Sequence, residues 1–176
     1  MFFLTFVIMS EEIINKVAKA NIIQIDLADY SNKLTIQEFD IKQALWQEMV
    51  IKEDLFRGFI KSFDWISLSK KHIALFCSVD AIIPAWAFML ITSELKKVDA
   101  NTYFGNKKEV ESHLFFKNLQ SINTTELTNQ RVMVKGCSTI PNPNRAFVEL
   151  TDLLVPKVKM LMFGEPCSAV PVYKRK

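Results

Sequence analysis

The spacing of apolar and polar positions divides the chain into an irregular first part and a regular remainder. Within residues 10–70, Ser10–Ala20 carries Ile13, Ile14 and Val17 on one helical face. Ile22-Ile23-Gln24-Ile25 and the stretch Leu34–Phe39 read as short strands. Leu55, Phe59 and Phe63, joined by Phe56 and Ile60, recur at i, i+4 and i+8, the stripe of a helix packed on one side. No internal repeat with a period of about 20 to 50 residues interrupts this order.

From Lys71 onward strands and helices alternate. His72–Cys77 predicts a strand, and Pro84–Lys97 a helix that is apolar nearly all round and so deeply buried. Asn101–Phe104 is a short strand. Asn106–Gln120 is a helix opened by a capping pair, Asn106 with Glu109 three residues on. Arg131–Lys135 is a strand, after which Asn142 caps a helix with Pro143 in its first position. Phe147, Leu150, Leu154, Val158 and Leu161 continue its buried face, and Pro156 is expected to kink it. Three strand–helix units in succession predict an α/β fold of two or three layers with a mainly parallel sheet, following an irregular amino-terminal part. One domain over residues 9–176 accommodates it.

Composition removes several function classes. The 176 residues are 49% hydrophobic and 23% charged, which excludes disorder. Gly58, Gly105, Gly136 and Gly164 stand too far apart to share a loop, so the glycine-rich phosphate cradles have no candidate. The net charge of +3 is matched by Lys174, Arg175 and Lys176, a solvated tail on a neutral body. No nucleic-acid partner is expected from that balance. Met1–Met9 is uncharged, too short to span a membrane, and lacks the basic segment and cleavage site of a signal peptide. Residues 1–8 are therefore expected to be a mis-assigned start or a disordered leader. A cytoplasmic location without membrane association follows, with cysteines as reduced thiols or metal ligands.

The three cysteines are the most reactive groups and stand in matching surroundings. Cys77-Ser78, Cys137-Ser138 and Cys167-Ser168 each lead to an apolar residue and a proline. Cys77 and Cys137 close strands, which puts them on the carboxyl edge of a parallel sheet, where ligands bind. Cys167 follows the last helix and joins them only if the terminal segment returns across the sheet. Two readings stay open: small buried hydrophobes, or a thiol set holding zinc, iron or an iron–sulfur cluster. Asp80 and Glu165 are the carboxylates beside these segments, and Asp80 is expected to cap the helix after it. His72 and His113 have no partner at metal spacing and read as surface or boundary residues.

The same segments resemble a known family. Ser10–Val17, Cys77-Ser78 with Asp80, Pro84 and Trp86, Lys135-Gly136-Cys137, and Gly164-Glu165-Pro166-Cys167-Ser168 with Val170-Pro171-Val172-Tyr173-Lys174 resemble the Bacteroidetes group called domain of unknown function 2480. The likeness runs from about Met9 to the end. It implies an accessory role in iron–sulfur cluster or sulfur handling, beside iron–sulfur assembly proteins. In that expectation Cys77, Cys137 and Cys167 bind metal or accept sulfur, and Tyr173 and the terminal lysines dock a partner. Two alternatives are a small-molecule-binding or hydrolytic enzyme using Asp80 and Glu165 in a strand-edge cleft, and an oligomeric interaction module.

Overall fold

The structure, a computed structural model, describes residues 22–136, 140–165 and 168–176. The helix expected over Ser10–Ala20 and the leader before it lie outside those residues. The described strands are β1 (Ile22–Asp26), β2 (Ile36–Asp40), β3 (His72–Phe76), β4 (Asn101–Phe104), β5 (Arg131–Lys135), β6 (Met160–Phe163) and β7 (Val170–Lys174). The helices are α1 (Glu53–Ser62), α2 (Ala85–Lys97), α3 (Lys107–Gln120) and α4 (Pro143–Leu154). Short 3-10 turns follow β1 and β2, over Leu27–Tyr30 and Ile41–Ala44. The class is α/β, with the strands divided between two sheets, β1-β5-β6-β7 and β2-β3-β4. Every pairing is parallel except β6 with β7.

The chain falls into two compact units. One takes residues 27–122 and 140–150 and contains the three-stranded sheet; the other takes 22–26, 123–136, 151–165 and 168–176 and contains the four-stranded one. In the first unit, strand alternation sends neighbouring side chains to opposite faces. Phe39, Ile73 and Leu75 join Phe56 and Ile60 of α1 and Ala87, Ile91 and Leu95 of α2 in one core. Ile36 and Ala74 pack with Val110 and Leu114 of α3 in another. Aromatic rings fill the larger core: Phe39 stacks on Trp65 at 5.7 Å, and Phe56 meets Trp86 edge-on at 5.5 Å. The Trp65 indole N–H donates to Ile60 O (2.8 Å), so its burial strands no donor. In the second unit, β5 lies between β1 and β6, and its Val132, Met133 and Val134 are buried.

Local chemistry explains the helix starts. Asn106 Oδ1 accepts the Glu109 N–H (3.1 Å) and Glu109 Oε2 accepts the Asn106 N–H (2.8 Å), a complete capping box on α3. Pro143 does open α4, but Asn142 precedes it with φ of 45° rather than the extended backbone of a usual N-cap.

Three expectations are corrected. Helix α2 buries only the face carrying Ala87, Ile91 and Leu95, and Met89 is 70% exposed. An all-round apolar sequence states what a helix could bury, whereas the neighbours available decide what it does bury. Pro156 stops the last helix instead of kinking it. Its ring supplies no N–H and disfavours helical backbone at Val155, and the N–H groups of Lys157 and Val158 both turn back to Leu154 O. Leu161 therefore belongs to β6, a strand absent from the periodicity reading. Finally, Lys174, Arg175 and Lys176 are exposed as expected, but Lys174 closes a strand, β7, that periodicity did not show and that pairs with β6. Arg175 beyond it donates to Asn129 Oδ1 (2.7 Å) and Pro156 O (2.9 Å). No helix among the described residues is long and apolar enough to cross a membrane.

Candidate functional site

Parallel strands gather their following loops at one edge, and each sheet has such a carboxyl edge. In the three-stranded sheet that edge is built by Asp40 at the end of β2, Cys77–Asp80 after β3, and Gly105–Glu109 after β4. Asp40 organises it. Its Oδ1 accepts the N–H of Lys42 (2.9 Å), capping the 3-10 turn, and the N–H of Ser78 (3.1 Å) from the neighbouring loop. Burial pushes the Asp40 carboxyl up, but hydrogen bonds from the Ser78 hydroxyl and the Lys42 and Ser78 N–H groups, with the Lys42 charge, hold it below the ordinary carboxylate range. Asp40 is thus a fixed anionic acceptor, unsuited to deliver a proton near neutral pH. Glu38 is committed in the same way, its Oε1 accepting the Lys107 N–H (3.0 Å) where α3 starts.

Cys77 is half-buried against the larger core, and its thiol donates to Val79 O (3.3 Å). Asp80 is exposed and does not cap α2, whose N-cap is Pro84 with no side-chain bond. A proline there presets the backbone, so no carboxylate is needed. The edge opens on a depression of about 610 Å³ lined by Glu38, Asp40, Lys42, Gln43, Leu45 and Glu48. The Lys42–Glu48 ion pair, at 3.2 Å, is part of that lining.

In the four-stranded sheet, β1, β5 and β6 run parallel and end together, with Asp26 opposite Lys135 and Val134 opposite Phe163. Asp26 Oδ2 pairs with Lys135 Nζ at 3.3 Å. Gly164, at φ 111°, donates its N–H to Val134 O (3.0 Å), which ties the exit of β6 to that of β5. From β5 the chain continues through Gly136 to Cys137 and Ser138; from β6 it continues through Glu165 to Cys167. Cys137, Ser138 and Cys167 lie outside the described residues. Glu165 is half-buried, and its carbonyl accepts the Ser168 N–H (2.9 Å).

Neither unit holds both Asp80 and Glu165, so neither by itself assembles the expected carboxylate pair. Among the described residues no three of His, Cys, Asp and Glu are grouped as metal ligands. The histidines converge on one ring instead. His72 stacks on Tyr103 at 6.0 Å with Nδ1 3.4 Å from its hydroxyl, and His113 lies at 6.3 Å from the same ring. Sequence reasoning passed over Asp40, the group that ties two loops together. Its one local signal is an aspartate closing a strand just before a buried residue, Ile41, a pattern shared by Asp26 before Leu27.

The family model described as protein of unknown function (DUF2480) matches residues 11–175, and the chain belongs to that family. Neither a curated protein nor a solved structure matches it.

Proposed function

We propose that this member of the family is an accessory protein that holds metal or sulfur through thiols at the carboxyl edge of its four-stranded sheet, with Cys137 and Cys167 as the primary pair. The observation that carries this reading is the shared exit of β5 and β6, two adjacent parallel strands joined by the Gly164-to-Val134 hydrogen bond. Each strand leads within a few residues to a cysteine. With Leu161 in β6 instead of in the preceding helix, the chain runs on to Cys167 from a strand adjacent to β5, which supports this reading. Thiolate ligation suits zinc, iron or an iron–sulfur cluster. Cys77 continues from the other sheet and is already engaged with Val79 O, so it stands outside the primary pair. Iron–sulfur assembly proteins in a bacteroidete cytoplasm are the partners this reading favours. Strand β7, which ends its sheet among the described residues and bears Tyr173 and Lys174, offers an edge for them to pair with.

Anaerobic purification followed by metal analysis and a visible spectrum tests the proposal. Bound zinc or iron that disappears in Cys137→Ser and in Cys167→Ser, yet persists in Cys77→Ser, is the expected result. A metal-free, spectrally silent protein that takes up neither zinc, iron nor sulfide on reconstitution would sink it.

A further inference from the structure

Two stretches of the chain copy one another at a constant offset of 59 residues (164 − 105). Strands His72–Phe76 and Arg131–Lys135 each bury their three central residues. The following helices bury Ala87, Ile91 and Leu95 in one copy and Ala146, Leu150 and Leu154 in the other. Met89 and Val148, 59 apart, are 70% and 69% exposed. The third strands are followed by Gly105 (φ 117°) and Gly164 (φ 111°), whose N–H groups donate at 3.0 Å to Leu75 O and Val134 O. Each copy is entered through a residue at positive φ, Lys70 (59°) or Asn129 (60°), donating to Val98 O or Lys157 O. All of these pairs share the one offset.

The amino-acid sequence agrees without a gap. Pro-x-x-Ala-Phe-x-x-x-Thr-x-x-Leu begins at Pro84 and again at Pro143, and Phe-Gly closes both copies at Phe104-Gly105 and Phe163-Gly164. Each copy also has a first strand of its own. Ile36 pairs with His72 and Ile22 with Arg131, which are equivalent positions, so β2 and β1 correspond. Both end in aspartate, and both continue into a 3-10 turn whose first residue, Ile41 or Leu27, is fully buried.

We infer that the chain contains an internal duplication of one strand–strand–helix–strand unit, and that Asp26 and Asp40 are its two equivalent loop-holding carboxylates. Asp40 reaches past β3 to the Ser78 N–H; Asp26 holds Lys135, the last residue of β5, where the other copy has the uncharged Phe76. In this overlay Cys77 corresponds to Gly136 and Ser78 to Cys137. The thiols are therefore not a duplicated set, and the two edges have diverged in chemistry while keeping one scaffold. This goes beyond the thiol proposal and does not require that any thiol bind a ligand.

Hydrogen exchange on the full chain, freed of metal by a chelator, tests the assignment. Asp40→Ala is expected to speed exchange about tenfold at Lys42 and in the segment after β3, but not after β5, each the effect of a lost charge-assisted hydrogen bond. Asp26→Ala, which removes the Asp26–Lys135 ion pair, is expected to speed exchange at the end of β5 and in the segment after it, but not after β3. Asp40→Asn and Asp26→Asn, which keep an acceptor oxygen, should each restore part of the protection in their own segment. Acceleration spread over both segments, or absent after β5 in Asp26→Ala, would overturn the equivalence. If an alanine variant fails to fold, the asparagine variants carry the same comparison, with smaller changes in the same two segments.

Discussion

At the scale of single residues, Asp40 decides how one sheet edge is organised. Its anionic form accepts the Lys42 and Ser78 N–H groups, so folding favours the ionised carboxyl and lowers its pKa. A depressed carboxyl stabilises the fold above its unfolded pKa, about 3.9, and that contribution is lost as pH falls through the lower folded value. Asp40→Asn should therefore be less stable than the native chain at pH 7 but lose less stability on acidification to pH 3. Urea unfolding at the two pH values measures this, and equal losses in both proteins would contradict it. Asp40 was hard to recognise in the sequence because its partner is Ser78, 38 residues away. By contrast the Asn106–Glu109 capping box was legible in full, since both of its hydrogen bonds close within one turn.

At the scale of elements, glycine marks where strands stop. Gly105 and Gly164 take positive φ, and a Cβ on them would lie 2.7 Å from Glu109 Oε2 and 3.2 Å from Ser168 O. Gly105→Ala and Gly164→Ala should each cost about 1–3 kcal/mol in denaturant unfolding. Gly58 supplies the opposite case, inside α1 with nothing within 4 Å of its added Cβ. Gly58→Ala is expected to stabilise by about 0.5–1 kcal/mol, because alanine has the higher helix propensity. A loss at Gly58, or no change at the other two, would contradict this assignment of roles. Most strand and helix positions were legible from periodicity, but the end of the last helix was not. Val158 and Leu161 fit a helical spacing from Leu154, and only the turn around Pro156 shows that the same apolar residues serve a strand.

At the scale of the whole molecule, the aromatic core of the three-stranded unit is a large apolar reserve. Phe56 is fully buried there, with Phe59 and Trp86 against its ring. Phe56→Ala should destabilise by about 3–5 kcal/mol through lost burial and a residual cavity; a cost below about 1 kcal/mol would place Phe56 outside a packed core. The sequence by itself determined the α/β class, most element boundaries, the capping of α3, the candidate thiols and the family. Each of these depends on side-chain type at short spacing, which the chain states directly. Only the tertiary structure decided that the strands form two sheets, that β6 and β7 exist, and that β5 and β6 end side by side. Strand partnership is set by hydrogen bonds between segments tens of residues apart, as in β1 with β5, and no local pattern records which partner a strand will choose.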